Sequence, residues 1–162
     1  MRWMSTLQMN GSRFATFIAT VVFASVLSST ALAESGERKQ VFGDYEVHYI
    51  GLNSSFIEES VAEAYGIPRS RSLGYMSISV LNTALGETPV PVTASMKGQI
   101  RNLIGQSREI EFREIKETNA VYYVSTFRFD KNEVYRIQLQ VTPEGTSREF
   151  VVNFSQQFYE EP

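Results

Sequence analysis

Two arginines at alternate positions, Arg69 and Arg71, sit in the stretch YGIPRSRSLGYMSISV (Tyr65 to Val80), between a helix-like segment and a strand-like one. In extended backbone, residues two apart project to the same side, so both guanidinium groups would point together. Each can hold a carboxylate or phosphate through two parallel N–H donors. With Ser70 assisting, Arg69, Arg71, Ser72 and Tyr75 form the candidate binding site, a clamp for an anionic ligand or an envelope partner. Two blander roles compete with it. The arginines could pair with Glu58, Glu59 or Glu63 and pin the helix to a sheet, or they could simply be solvated.

Other chemistry is narrowed by what the chain lacks. It has no cysteine, and His48 is its one histidine. Zinc then lacks its usual ligands, a Cys-His pair is impossible, and a Ser-His-Asp triad would have to use His48. That residue shares the polar face of a strand with Glu46 and reads as a solvated strand histidine. The aspartates are Asp44 and Asp130 alone, and no loop has the oxygen spacing of a calcium-binding hand. Neither a phosphate-cradling glycine loop nor a nucleophile elbow is present. Glu109 and Glu111 share a strand face, but neighbours on an exposed strand make no cleft for paired-carboxylate hydrolysis. No catalytic residue, metal ligand or cofactor is therefore assigned. A small hydrolase or lyase built from serines or carboxylates on distant strands stays as an alternative, as does a small-molecule carrier.

The elements that position these residues have mostly a period of two. Tyr45, Val47 and Tyr49 oppose Glu46 and His48, and Met76, Ile78 and Val80 alternate with serines. Val90, Val92, Ala94, Met96 and Ile100 keep one face through a long run that Gly98 interrupts, suggesting a bulge or bend there. REIEFREI (Arg108 to Ile115) reads as one strand. AVYYVSTFRF, VYRIQLQV and EFVVNFSQQF follow, separated by Asp130-Lys131-Asn132 and Pro143-Glu144-Gly145 as turns. One segment differs: Ser55 and Glu58 have capping-box spacing, and Ile57, Val61, Ala64 and Tyr65 follow at helical intervals. Gly66 then suits a left-handed cap and Pro68 blocks continuation. The expected fold is mainly β, an antiparallel immunoglobulin-like β-sandwich of about seven strands with one short helix over about 56–65.

Residues 1–33 read as a cleavable signal peptide. Arg2 and Arg13 precede an apolar run from Phe14 that ends in Ala31-Leu32-Ala33, a small-x-small cleavage pattern. An uncleaved anchor is the alternative, since the run is about long enough to span a bilayer. Cleavage after Ala33 removes 33 of 162 residues and leaves 129, with 13 basic against 18 acidic side chains and a formal charge of −5 instead of −3. Residues 34–162 suit a single domain, exported to the periplasm, with no stable membrane insertion once cleaved. The acidic balance, with basic residues scattered among acids along the chain, argues against nucleic acid as a partner.

The ordered segments FGDYEVHYIGLNSSFI, AEAYGIPRSRSLGYMSISVLN, NLIGQ, AVYYVSTFRF and VNFSQQFY resemble a bacterial exported family, domain of unknown function 4426. The resemblance covers roughly Lys39 to Glu160, and YGIPRSRSLG is its most specific piece. It implies a Gram-negative envelope protein with an antiparallel sandwich domain, and brings no reaction, cofactor or catalytic residues. The functional expectation is a non-catalytic binding or interaction module with an unknown envelope protein or anionic ligand as its partner.

Overall fold

The alternating segments fold into ten strands in two antiparallel sheets. The computed structural model describes residues 37–131 and 133–159; the expected signal peptide and its cleavage after Ala33 lie outside them. In chain order the strands are β1 (Glu37–Phe42), β2 (Tyr45–Asn53), β3 (Leu73–Asn82), β4 (Val90–Pro91), β5 (Ala94–Arg101), β6 (Ser107–Ile110), β7 (Arg113–Lys116), β8 (Val121–Arg128), β9 (Val134–Pro143) and β10 (Phe150–Gln157). The first sheet has the order β1-β2-β3-β8-β7, with β4 paired to the far end of β3; the second has the order β10-β9-β5-β6. The described residues all fall in one compact unit.

The inner faces meet in one apolar core, as a β-sandwich requires. Val47, Met76, Ile78 and Val80 come from the first sheet; Ile100, Ile137, Leu139, Val141 and Val152 come from the second. All are fully or almost fully buried, each contributing about 1.5–3 kcal/mol relative to exposure. With no cysteine to staple them, the sheets are joined by aromatic pairs. Phe42 stacks on Phe150 at 4.7 Å, Tyr49 on Phe154 at 4.2 Å, and Phe158 meets Phe127 edge-on at 5.2 Å. One open side of the sandwich is closed by side chains. Arg38 and Gln40 of β1 donate to the carbonyls of Ser155 and Asn153 on β10.

Three local expectations are revised. First, the strands number ten rather than about seven, partly because two runs read as continuous change sheets midway. REIEFREI splits at Glu111-Phe112 into β6 of one sheet and β7 of the other, and the run from Val90 splits between β4 and β5. Second, Gly98 is no bulge. Its register to Ile110 and Leu139 is unbroken, and the missing Cβ makes room for Ile110 Cγ1, which would lie 2.6 Å from it. Third, the helical segment is a 3₁₀ turn at Ser54–Phe56 followed by α1 at Glu59–Tyr65. Ser55 does not cap α1. Its N–H and hydroxyl both donate to Asn53 Oδ1, and Glu58 at the N-cap makes no side-chain cap bond. The C-terminal expectation holds: Gly66 is left-handed (φ 61°), and the N–H groups of Gly66 and Ile67 close the last turn on Glu63 and Ala62.

Candidate functional site at the open edge of β8

Strand β8 is longer than the strand beside it. Its inner neighbour β3 pairs with Tyr123 through Arg128, but β7 pairs with Val121 to Val124 only. Beyond Val124 the outer edge has no strand, because the chain reaches β7 by crossing from the other sheet at Glu111-Phe112. Backbone groups in a strand alternate in direction. Phe129 N–H donates to Ser72 O, beside β3, whereas Arg128 O faces away from β3 and accepts from Arg108. By that alternation the N–H and C=O of Thr126 also point outward, and among the described residues no bond to them is formed.

They face a cleft of about 590 Å³ bordered by Pro68, Tyr75, Arg108, Glu111 and Arg113. Arg108 sits at its mouth, its guanidinium carbon 5.8 Å from the Phe127 ring centre. Arg113 donates to Tyr65 O at 2.5 Å, meeting an orphan carbonyl at the C-terminus of α1, where a cation is favoured. Tyr65 OH also bonds Glu117, and that carboxylate raises the phenol's pKa. Burial raises the pKa of Tyr75, so it meets the cleft as a neutral phenol.

The YGIPRSRSLG connector is pinned to the turn before α1. Asn53 Nδ2 donates to Arg71 O at 2.7 Å, Ser54 Oγ accepts from Ser70 N–H at 2.9 Å, and Arg69 Nη2 donates to Ser55 O at 2.9 Å. The consecutive residues Asn53, Ser54 and Ser55 thus hold the connector at three points. Arg69 is anchored by a carbonyl, and among the described residues no ion pair joins it to a helix glutamate. The backbone turns here, with Leu73 N–H bonded to Ser70 O, so the extended geometry expected to align the two guanidiniums is not met. Ser72 Oγ lies 3.2 Å from Ser70 Oγ. Tyr75 borders the β8 cleft, whereas Arg69 lines a separate depression with Glu59 and Glu63.

Sequence reasoning missed Arg108, Arg113 and Thr126. One signal was available: Ile110 and Phe112 share a parity that Ile115 breaks, as expected where one run feeds two sheets. Elsewhere, His48 Nε2 lies 2.9 Å from Glu46 Oε2, and Lys39 Nζ bonds the other carboxylate oxygen at 2.8 Å. Those two bonds, that from Lys39 foremost, hold Glu46 below the usual carboxylate range. Among the described residues no three His, Cys, Asp or Glu side chains gather as a metal site.

The fold is that of a small two-sheet β domain, and comparison gives the family. The profile of Domain of unknown function (DUF4426) matches residues 39–161, and the chain belongs to that family. A DUF4426 protein from Pseudomonas aeruginosa PAO1 is 29% identical, with a TM-score of 0.67 over 78% of this chain and 98% of that one. FetP from uropathogenic Escherichia coli strain F11 shares the fold at 9% identity, with a TM-score of 0.57 over 77% and 95% of the two chains. A copper-bound FetP variant gives 9% and 0.56 over 78% and 97%. No curated protein matches the chain.

Proposed function

We propose that this protein is a non-catalytic periplasmic binding module that receives an extended segment of an envelope partner along the open edge of β8. The observation that carries this reading is the unpaired outward backbone of Thr126, in a cleft between the end of β7 and the Arg108 side chain. Main-chain pairing supplies affinity in strand addition, and flanking pockets supply selectivity. Arg108, Arg113 and Arg128 outnumber Glu109 and Glu111 in the cleft lining, which favours a segment carrying acidic side chains. The periplasmic address rests on the N-terminal run ending Ala31-Leu32-Ala33 and on the family resemblance.

Copper, named for the FetP variant, does not fit the residues present here. Soft sulfur and imidazole ligands suit that metal, but His48 is the one histidine, its neighbour Glu46 is already bonded to Lys39, there is no cysteine, and among the described residues the thioethers are those of Met76, fully buried in the core, and Met96, packed against it.

Thr126→Pro is the test. Proline removes the outward N–H and leaves the bonds to β3, which come from the odd-numbered residues of β8, in place; edge strands accept it. The variant is expected to fold, and to lose the partner that a photoreactive residue at position 111 captures from wild-type protein. Capture undiminished in a folded Thr126→Pro protein would refute strand addition. Capture only from position 71 would return the site to Arg69, Arg71, Ser72 and Tyr75.

A further inference from the structure

The basic residues that look scattered in sequence are not scattered in space. Strand register brings many of them to one end of the sandwich. On the outer face of the second sheet, Arg101 pairs directly with Arg136, and their outer neighbours in the same row are Ser107 and Ser155. The row thus reads Ser-Arg-Arg-Ser across four strands, and all four are exposed. Among the described residues neither arginine has an acidic partner. Like charges directly opposite on a sheet repel, so the pair is a standing cost that a bound anion would relieve. In the first sheet Leu73 pairs with Arg128, which sets Arg128 and the Arg69-Arg71 connector at this same end. The bond from Arg108 to Arg128 O ties the two sheets there.

An apolar tip stands beside the row. The β5–β6 hairpin turns through Leu103 and Ile104, which are 62% and 78% exposed, and Gly105 completes the turn at φ 89°. Asn102 bonds Gln106 through both its backbone and its side chain, so the tip is held in shape. Only Asn102 separates Leu103 from Arg101, the last residue of β5. Acidic groups share this end: Asp130 and Glu133 in the β8–β9 turn, and Glu59 and Glu63 in the depression beside Arg69. None of them is a register partner of Arg101 or Arg136. The opposite end carries Asp44, Glu87, Glu144 and Glu149 together with Arg148, which reaches Gly43, so acidic side chains predominate there.

We infer that this end docks on an anionic membrane surface. Leu103 and Ile104 enter the headgroup layer while Arg101 and Arg136 hold lipid phosphates. A free phosphate would use the arginines and leave the aliphatic tip in water, whereas a lipid surface uses both. Contacts of exposed arginines with lipid phosphates and of a two-residue apolar tip with the headgroup layer are peripheral and salt-sensitive. The β8 cleft shares Arg108 and Arg128 with this end, but Arg101, Arg136, Leu103 and Ile104 lie outside its lining, so the inference does not depend on strand addition.

The test is flotation of residues 34–162 with vesicles of phosphatidylethanolamine and phosphatidylglycerol, against phosphatidylcholine alone. Binding to the anionic vesicles, weakened by salt, is expected. Arg101→Gln with Arg136→Gln is expected to lower it roughly thirty-fold, from about 1 kcal/mol per basic residue near such a surface. Leu103→Ser with Ile104→Ser is expected to lower it as well, while Lys97→Gln with Lys116→Gln leaves most of it. No flotation, equal flotation on both vesicle types, or equal loss in the lysine control would overturn the inference. So would binding of RNA or inorganic phosphate through the same arginines in the absence of vesicle binding.

Discussion

Arg101 and Arg136 stand directly opposite each other across β5 and β9, two exposed cations in one row with no carboxylate beside them. Neutralising one should therefore relieve repulsion. Arg136→Gln is expected to raise unfolding free energy by on the order of 0.5 kcal/mol, measured by urea titration at low salt, with the gain shrinking as salt is added. A loss of stability would mean that the guanidinium has a structural partner.

Asn53 has a different kind of importance. It is 2% exposed, and its Nδ2 donates both to Arg71 O and to Tyr159 O, at 2.7 and 2.8 Å. One side chain thus joins the connector to the C-terminal tail. Asn53→Ala leaves those carbonyls without their donor and should cost about 1–3 kcal/mol. Limited proteolysis should show new cleavage at Arg69 and Arg71. An Asn53→Ala protein as stable and protease-resistant as wild type would show the connector to be held elsewhere.

Gly98 should not accept a side chain. Its backbone is not left-handed, so the objection is steric. A Cβ would come within 2.6 Å of Ile110 Cγ1 and 2.7 Å of Phe112 Cε2. Gly98→Ala is expected to lower stability by about 1–3 kcal/mol. Ile110→Ala removes both the Cγ1 and the Cδ1 contacts, so the double variant should lose less than the sum of the two single losses, a coupling visible in a double-mutant cycle.

Alkali should unfold the sandwich through two tyrosines. Burial, foremost, raises Tyr123 and Tyr135 from 10.0 to about 12. Both bond backbone amides as acceptors, at Ala94 and Asp130. A raised folded pKa means the unfolded state releases its proton first. Their contribution is full below pH 10 and is lost as pH rises from 10 to about 12. Phenolate absorbance should therefore rise in two stages, the later one coinciding with loss of β-sheet circular dichroism. A single early rise would place both rings in solvent.

The fold was legible where one face of a strand is buried, because period-two patterning is then enforced by the core. Tyr45 to Tyr49, Met76 to Val80 and Tyr135 to Val141 are such cases. It was illegible where the chain changes sheets. Alternation looks the same in either sheet, and only the parity slip between Phe112 and Ile115 marks the crossover at Glu111. The capping box failed because Asn53 Oδ1 takes both the amide and the hydroxyl proton of Ser55, while the Glu58 carboxylate accepts from Ser60 instead. The site was less legible still. Arg69 and Arg71 stand out in sequence, but the open edge of β8 exists only because β7 stops at Arg113, and strand length is a tertiary outcome. The basic end was invisible for the same reason, since Arg101 and Arg136 lie 35 positions apart and meet only through register.

Amide hydrogen exchange at Thr126 tests the open edge most directly. In the isolated protein its N–H should exchange fast, near the rate of an exposed loop, while Ser125 and Phe127 on either side are protected by β3. Slow exchange at Thr126, equal to that of its neighbours, would mean that the edge is already paired, and the binding site would have to be sought elsewhere.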